Sequence, residues 1–200
     1  MRITAEEKNA TRRRILDAAV ELFRTHGFDA TTTRDIARAA EIATGTLFNY
    51  FDTKEAIIGQ LASESFGKAR LAFAKQELQA GLDEELFALV VAELRQLKLL
   101  RKFITPLLET VLCPLASARR PGMDHSLRVE HLELVVGIAK RHGITEISPV
   151  SIQMYWSIYI GVLAFWAEDQ SPKQEDTLAL LDQSLRMFAA WLLNSAGESQ

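Results

Sequence analysis

Apolar side chains recur at intervals of three and four residues along most of the chain, and no segment shows sustained alternation of apolar and polar residues. The first such stripe joins Ile15, Leu16, Ala19, Leu22 and Phe23, which fall on one face of a helix. Similar stripes continue to the end of the chain. The pattern therefore predicts an all-α fold of about nine helices.

Polar residues mark where the first two helices begin. Thr4 and Glu7 have the spacing of a capping box, in which each side chain accepts a hydrogen bond from the other residue's backbone. Gly27 stands where a helix commonly ends. Thr32 and Asp35 repeat the capping pattern and predict the start of a short second helix.

Two further helices are predicted after a brief turn. The third is short and covers residues 44–50, while the fourth begins at Lys54 and extends to about Leu78. Two short helices that are joined by a tight turn and supported by a longer helix form a helix-turn-helix unit. We therefore expect a three-helix DNA-binding domain in residues 1–55 and a helical bundle domain in residues 56–200.

The segment that carries this arrangement is RRRILDAAVELFRTHGFDATTTRDIARAAEIATGTLFNYFDTKEAII, residues 12–58. Its order of a helix, Gly-Phe, a Thr cap, Ile-Ala and then Gly-Thr-Leu-aromatic-x-Tyr-Phe-x-x-Lys-Glu resembles the DNA-binding domain of TetR-family transcriptional regulators. The resemblance implies a regulator that binds palindromic operator DNA as a homodimer. It also implies a second, helical domain that forms the dimer and encloses a small-molecule site.

The third helix is expected to have one face on its own domain and one face on DNA. Leu47, Phe48 and Phe51 are expected to pack on the preceding helices. Recognition in the major groove uses donors and acceptors with a small residue where the backbone approaches, while hydroxyls, ammonium groups and helix N-termini bind phosphates. The predicted DNA-binding residues are Thr32, Thr33, Arg34, Thr44, Gly45, Thr46, Asn49, Tyr50 and Lys54. The alternative for Tyr50 is a half-buried core ring, and for Lys54 a solvated lysine at a helix start.

The turn before the third helix departs from the family pattern at two positions. Glu41 stands where glycine is common, so a positive φ angle is expected there without the freedom of glycine. Ala43 stands where serine is common and offers no oxygen for an N-cap. A phosphate contact usually assigned to that serine is therefore in question.

Composition and charge agree with this division of the chain. The 200 residues are 48% hydrophobic and 24% charged, with a formal net charge of −3. Residues 1–54 carry nine basic against eight acidic residues, net +1, and the remainder carries 14 against 18, net −4. The small positive balance is thus confined to the part expected to meet a polyanion.

The same residue inventory predicts the compartment. Cys113 is the single cysteine, which excludes an internal disulfide and fits a reducing compartment. The N-terminus has no apolar signal segment, and the longest apolar stretch, residues 155–167, is shorter than the roughly 20 residues of a membrane-spanning helix. A cytoplasmic protein without membrane contact is predicted.

The last two helices, which start at Pro149 and Pro172, are predicted to form the homodimer because they are apolar on more than one face. Leu181 and Leu185 are expected to point outward into that interface. A small, largely apolar effector is the predicted ligand of the second domain. Its pocket is predicted to be lined by Phe66, Phe103, Met123, Met154, Tyr155, Trp156, Phe165 and Trp166, each of which is alternatively plain core.

Catalytic and metal-binding chemistry is not predicted. His125, His131 and His142 share one predicted helix with Glu130 and Glu133, but they lack the HExxH spacing of a metal site. No cofactor is expected. Two other functions remain open, a DNA-binding regulator that is controlled by a protein partner or by no ligand, and an apolar-ligand carrier or enzyme with a degenerate helix-turn-helix.

Overall fold

The computed structural model describes residues 4–76, 80–112 and 126–197. Within these ranges every regular element is helical and none is a strand, which confirms the all-α fold class. Four of the residues named above, Leu78, Cys113, Met123 and His125, lie outside the described ranges. The chain divides into two compact units, one up to Ala62 and one from Ser63 onward. The predicted domain boundary after residue 55 stays a prediction.

The first unit is built from three helices and the beginning of a fourth: α1 (Ala5–His26), α2 (Thr33–Ala39), α3 (Thr44–Phe48) and α4 (Lys54–Phe73). The predicted caps are confirmed, because Thr4 with Glu7 and Thr32 with Asp35 each form a complete capping box. Gly27 ends α1 with a φ of 86°, a conformation that glycine adopts without strain.

The core of the first unit comes from the stripe on α1 and from apolar residues of the next three helices. α1 packs on α2, and α2 packs on α3. Phe23 and Phe28 place their ring centroids 5.0 Å apart. The fully buried residues are Ile15, Leu16, Ala19, Phe23, Ile36, Ala37, Leu47, Ile57, Ile58 and Ala62.

The second unit consists of the rest of α4 and four long helices around one core. After α4 come α5 (Leu82–Leu97), a 3₁₀ segment (Lys98–Phe103), an α-helical turn (Ile104–Leu107), a π-helical turn (Leu108–Leu112), α6 (Ser126–Arg141), α7 (Pro149–Glu168), a 3₁₀ turn (Pro172–Gln174) and α8 (Glu175–Gly197). α5 packs against α6 and α8, and α7 packs against α8.

α7 is a continuous helix of 20 residues, so the argument that its apolar stretch is too short to span a membrane is wrong. By length and composition alone it is the one helix of the described residues that meets the requirement for a membrane span. One side of α7 is buried within the unit, with Tyr155, Tyr159, Leu163 and Trp166 in the core. The helix is therefore apolar because it contributes a large part of the core.

The connection between α7 and α8 is held by two side chains. Arg101 donates from its guanidinium to the backbone oxygens of Trp166, at 2.7 Å, and of Asp169. The Asp169 carboxylate accepts from the backbone N–H of Ser171 at 2.8 Å and from the hydroxyl of Thr177 at 2.5 Å. These hydrogen bonds hold the pKa of Asp169 well below its usual value. Together the two residues fix the angle at which α8 follows α7.

The outward positions of α8 differ from the prediction. Leu181 and Leu185 are each 1% exposed, so the expectation that they point outward is wrong. They are buried because the stripe on α8, which packs on α5 and α7, closes the core of the unit itself. Other apolar side chains lie on the surface of α7 and α8, among them Phe165 at 44% and Met187 at 64% exposure.

Candidate nucleic-acid interface

The turn that joins α2 to α3 is a Schellman motif. The N–H of Glu41 donates to the carbonyl oxygen of Arg38 at 3.1 Å, and the N–H of Ile42 donates to that of Ala37 at 3.0 Å. This motif requires a left-handed residue at its centre, and Glu41 has a φ of 55°. The expectation of a positive φ at Glu41 is confirmed.

α3 starts without a side-chain cap and is shorter than predicted. Ala43 is its N-cap residue and accepts no side-chain hydrogen bond, as expected. The helix ends at Phe48, and Asn49 is its C-cap, whereas the sequence predicted an end at residue 50. Leu47 and Phe51 are buried and anchor this five-residue helix to the unit.

Phe48 lies outside the core, contrary to the prediction. Its side chain is 46% exposed. Leu47 and Phe48 point about 100° apart around the helix, and of the two only Leu47 reaches the core. The exposed ring of Phe48 therefore belongs to the outer face of α3.

The outer face of α3 carries most of the predicted DNA-binding residues. Gly45 and Asn49 are exposed, and Thr44, Thr46 and Tyr50 are half-buried. A β-carbon at Gly45 would meet no atom within 4 Å, so packing within the unit does not require glycine there. The missing side chain instead leaves the outer surface of α3 without a projecting group at this position. Small groups, a hydroxyl and an amide next to one exposed ring are suited to the edges of bases.

The start of α2 presents the remaining predicted residues. Arg34 is exposed and Thr33 is half-buried. The Thr32 hydroxyl, in contrast, donates to an Asp35 carboxylate oxygen at 2.5 Å and accepts from the Asp35 backbone N–H at 3.2 Å. Thr32 therefore caps α2 in this structure, and its contact with DNA stays a prediction.

Lys54 has a structural role that the sequence did not indicate. Its ammonium group donates to the backbone oxygens of Phe28 at 2.7 Å, Asp29 at 3.2 Å and Thr31 at 3.3 Å. It also lies over the Phe28 ring, 4.4 Å from the centroid. All three donors of the ammonium group are engaged. Lys54 thus ties the start of α4 to the loop between α1 and α2, and the predicted phosphate contact has no free donor in this arrangement.

Most of the predicted pocket residues that the structure describes are buried in the second unit. Phe66, Phe103, Tyr155, Trp156 and Trp166 are buried side chains. Met154 is half-buried, and Phe165 lies on the surface of α7. Tyr155 lines a cavity of about 10 Å³, which has room for one water-sized group. Burial agrees with the plain-core alternative, and the predicted pocket stays a prediction.

A buried polar cluster lies in the second unit, and the sequence did not predict it. Glu93, His131, Tyr155 and Tyr159 are all buried. Glu93 Oε1 is 2.7 Å from His131 Nδ1, and Glu93 Oε2 accepts from the Tyr159 hydroxyl at 2.9 Å. His131 Nε2 is 3.0 Å from the Tyr155 hydroxyl. The histidine ring stacks on Tyr159, with centroids 4.1 Å apart.

Burial, and then the nearby Glu93 carboxylate, raises the pKa of both tyrosines well above its usual value, so both hydroxyls keep their protons. We assign the ring proton of His131 to Nδ1 from this connectivity. Nδ1 then donates to Glu93, and Nε2 accepts from the Tyr155 hydroxyl. The indole N–H of Trp156, beside the same histidine, is buried without a hydrogen-bond partner among the described residues.

Part of this cluster was detectable in the sequence. Glu93 follows Leu86 and Leu89 at helical spacing on the face of α5 that is otherwise apolar, and Leu97 continues that face. A carboxylate at such a position predicts burial with a partner. Its partner, His131, is 38 residues away in the chain, so periodicity alone does not identify it.

Two further titratable residues on or just after α6 have side-chain partners. Glu130 pairs with Arg70, and His142 Nε2 lies 2.9 Å from Glu85. His125 lies outside the described residues. In the part of the chain that the structure describes, no three His, Cys, Asp or Glu side chains are grouped as metal ligands would be.

Comparison with known proteins finds a family match in the first unit. Residues 15–61 match the family model described as bacterial regulatory proteins, tetR family. A relative named HTH-type transcriptional repressor KstR2, from Rhodococcus jostii, is 42% identical over 67 residues. That match covers 32% of this chain and 33% of KstR2, so the sequence likeness spans about a third of each protein.

Solved structures extend the likeness to most of the chain. A TetR transcriptional regulator from Nitrosomonas europaea has a TM-score of 0.68 at 22% identity, covering 91% of this chain and 99% of that one, which shows a common fold. The FadR repressor of Thermus thermophilus, a TetR-family protein solved with lauroyl-CoA, has a TM-score of 0.58 at 26% identity. The match covers 88% of this chain and 92% of the FadR chain.

Proposed function

We propose that the chain is a sequence-specific DNA-binding transcriptional repressor of the TetR family, on the basis of the family match and the relative of its first unit. The observation that carries this proposal is the division of α3 into an anchored and an exposed face. Leu47 is fully buried, while Gly45, Phe48 and Asn49 lie outward on the same short helix. A helix held from one side and carrying small, amide and aromatic groups on the other suits the major groove.

The proposed partner is a palindromic operator bound by a homodimer in the cytoplasm. One α3 per protomer recognises one half-site, so two-fold symmetry of the protein demands a near-palindromic DNA. The apolar residues exposed on α7 and α8 support a dimer through these two helices, because large exposed apolar patches mark interaction surfaces. No catalytic activity, cofactor or membrane contact is proposed.

The experiment that tests DNA recognition is recovery of the DNA that the full chain binds from a random pool. The expected result is an enriched near-palindrome, with half-site centres about 34–36 Å apart or a multiple of that distance. A pool that shows no enrichment after repeated selection would reject sequence-specific binding.

We also propose that a small, largely apolar ligand controls operator binding. Its support is the whole-chain likeness to the FadR repressor solved with lauroyl-CoA. If a ligand weakens operator binding, linkage requires that the operator weaken ligand binding by the same factor, typically about 5–150-fold. Titration of lauroyl-CoA with and without the selected operator measures both factors. If lauroyl-CoA and shorter acyl thioesters bind with no effect on operator affinity, control by a protein partner, or by none, takes its place.

A further inference from the structure

Phe48 is a large apolar side chain on a helix face that is otherwise small or polar. Its side chain is 46% exposed, and its neighbours on the outer face of α3 are Gly45, three positions earlier, and Asn49. Side chains on a helix lean toward its N-terminus, so the ring extends over the turn that contains Gly45. Because Gly45 has no side chain, nothing at that position covers the ring. The Phe48 ring is therefore accessible from outside the unit.

The segment around Phe48 carries no charge. Residues 42–51 contain no Asp, Glu, Lys, Arg or His, and the ammonium group of Lys54 is engaged with three backbone oxygens. The commonest specific contact to guanine is an Arg or Lys that bonds two of its acceptors, and α3 has no such residue. The outer face of α3 instead offers the Asn49 amide, which matches adenine, and the Phe48 ring. Its chemistry therefore suits A·T base pairs.

The apolar ring has one matching group on the base edges of the major groove. Among the four bases, thymine alone presents a methyl group there, at its C5 position, and phenylalanine is one of the side chains that contact it. A single exposed apolar residue is common on protein surfaces and by itself needs no partner. Phe48 differs because it lies on the short helix to which the proposed function assigns base recognition. An uncharged ring also gains little from contact with phosphates.

We propose that the Phe48 ring packs on the 5-methyl group of one thymine in each half-site, which makes Phe48 a specificity-determining residue. This contact rests on the proposed DNA-binding function and names the base that the apolar part of α3 recognises. Burial of one methyl group strengthens binding by about fourfold. Because two protomers bind one palindrome, loss of both methyl groups is expected to weaken binding by about fifteenfold.

The test uses the full chain and the palindrome selected from the random pool. Each thymine position is replaced in turn by deoxyuridine, in both half-sites at once. Deoxyuridine forms the same base pair with adenine and lacks only the 5-methyl group. For the unaltered chain, replacement at one position is expected to weaken binding by about fifteenfold. For Phe48→Ala, the thymine and uracil operators are expected to bind equally at that position, as measured by fluorescence anisotropy at one salt concentration.

Control variants separate this effect from a change in folding. Phe48→Tyr keeps the ring and is expected to keep the difference between thymine and uracil. Leu71→Ala removes an apolar side chain that is 67% exposed on α4 and is expected to keep the difference as well. Urea unfolding checks that Phe48→Ala is folded. Phe48→Leu is a second variant with a smaller apolar side chain, and it is expected to show a smaller difference than the unaltered chain.

The outcomes distinguish this contact from the proposed function. Absence of any enriched palindrome would reject both. An enriched palindrome in which no deoxyuridine weakens binding would overturn the contact and leave the proposed function in place. A difference between thymine and uracil that persists in Phe48→Ala would assign the methyl group to another residue and overturn the contact. Equal weakening of both operators by Phe48→Ala would place the ring on the sugar-phosphate backbone, which also overturns it.

Discussion

Asn49 and Tyr50 are neighbours at the end of α3, yet different contributions are expected from them. Asn49 is exposed and carries an amide that can bond two positions of one base, whereas Tyr50 is half-buried with a hydroxyl suited to a phosphate. Base contacts discriminate between sequences, and phosphate contacts do not. The two residues therefore provide a test of which side of α3 meets the bases.

Asn49→Ala is expected to change the preferred sequence and to cost about 1–3 kcal/mol of binding free energy on the selected operator. Tyr50→Phe is expected to weaken all DNA sequences alike by about 1 kcal/mol, because it removes one hydroxyl hydrogen bond. Fluorescence anisotropy on the operator and on a scrambled duplex measures both. If Asn49→Ala loses the same binding free energy on both duplexes, Asn49 does not recognise a base.

Lys54 is expected to contribute to the free energy of unfolding, whether or not it also contacts DNA. Lys54→Met keeps the aliphatic stem but leaves three backbone oxygens without their charged donor, at a cost of about 1.5–3 kcal/mol in the free energy of unfolding. Urea unfolding measures this loss. Lys68→Met, at an exposed lysine of the same helix, is the control, and equal stability of the two variants would contradict the bracing role of Lys54.

At the scale of single elements, the turn before α3 combines a motif that favours glycine with a residue that does not. Glu41 adopts the left-handed conformation in a complete Schellman motif. The hydrogen bonds on both sides of it, together with the buried Leu47 and Phe51, hold it there. The first unit therefore carries local strain next to its predicted DNA-binding surface.

Glu41→Gly is expected to raise the free energy of unfolding by about 0.5–1 kcal/mol, because relief of the left-handed strain exceeds the added flexibility of the unfolded chain. Glu41→Gln is the control, since it removes the charge and keeps the β-carbon. Thermal unfolding compares the two. A glycine variant no more stable than the glutamine variant would show that the strain is negligible.

The elements themselves were largely predictable, and their long-range partners were not. The capping boxes at Thr4 and Thr32 and the positive φ of Glu41 depend on residues within a few positions of each other, so sequence spacing contains them. Lys54 bonds carbonyls about 25 residues earlier, and backbone oxygens carry no sequence signature. The exposure of Phe48 was not predicted, because a helix of a single turn has too few apolar positions for their spacing to define its buried face.

At the scale of the whole molecule, symmetry is the property that the proposed function requires. The residues first expected to form the dimer, Leu181 and Leu185, close the core of their own unit. Periodicity identified the apolar stripe of α8 but could not tell whether its own chain or a second chain covers it. The surface of α7 and α8 that remains exposed includes Phe165, Met187 and Trp191.

Met187→Glu is expected to shift the protein toward monomers, because a charge would be buried in the proposed dimer contact without a partner. Sedimentation at micromolar concentration measures the shift. Leu99→Glu is the matched control, since Leu99 is 80% exposed in the same unit and lies outside α7 and α8. Equal association states of the two variants would place the dimer contact elsewhere on the chain.

Affinity for two DNA duplexes at the same salt concentration separates recognition by the two α3 helices from attraction by charge. One carries the palindrome selected from the random pool, and the other carries the same palindrome with one half-site scrambled. Two protomers are expected on the intact palindrome, with more than about a tenfold loss of affinity when one half-site is scrambled. Equal affinity for both duplexes would show that charge alone holds the protein on DNA, and would contradict recognition by the paired α3 helices.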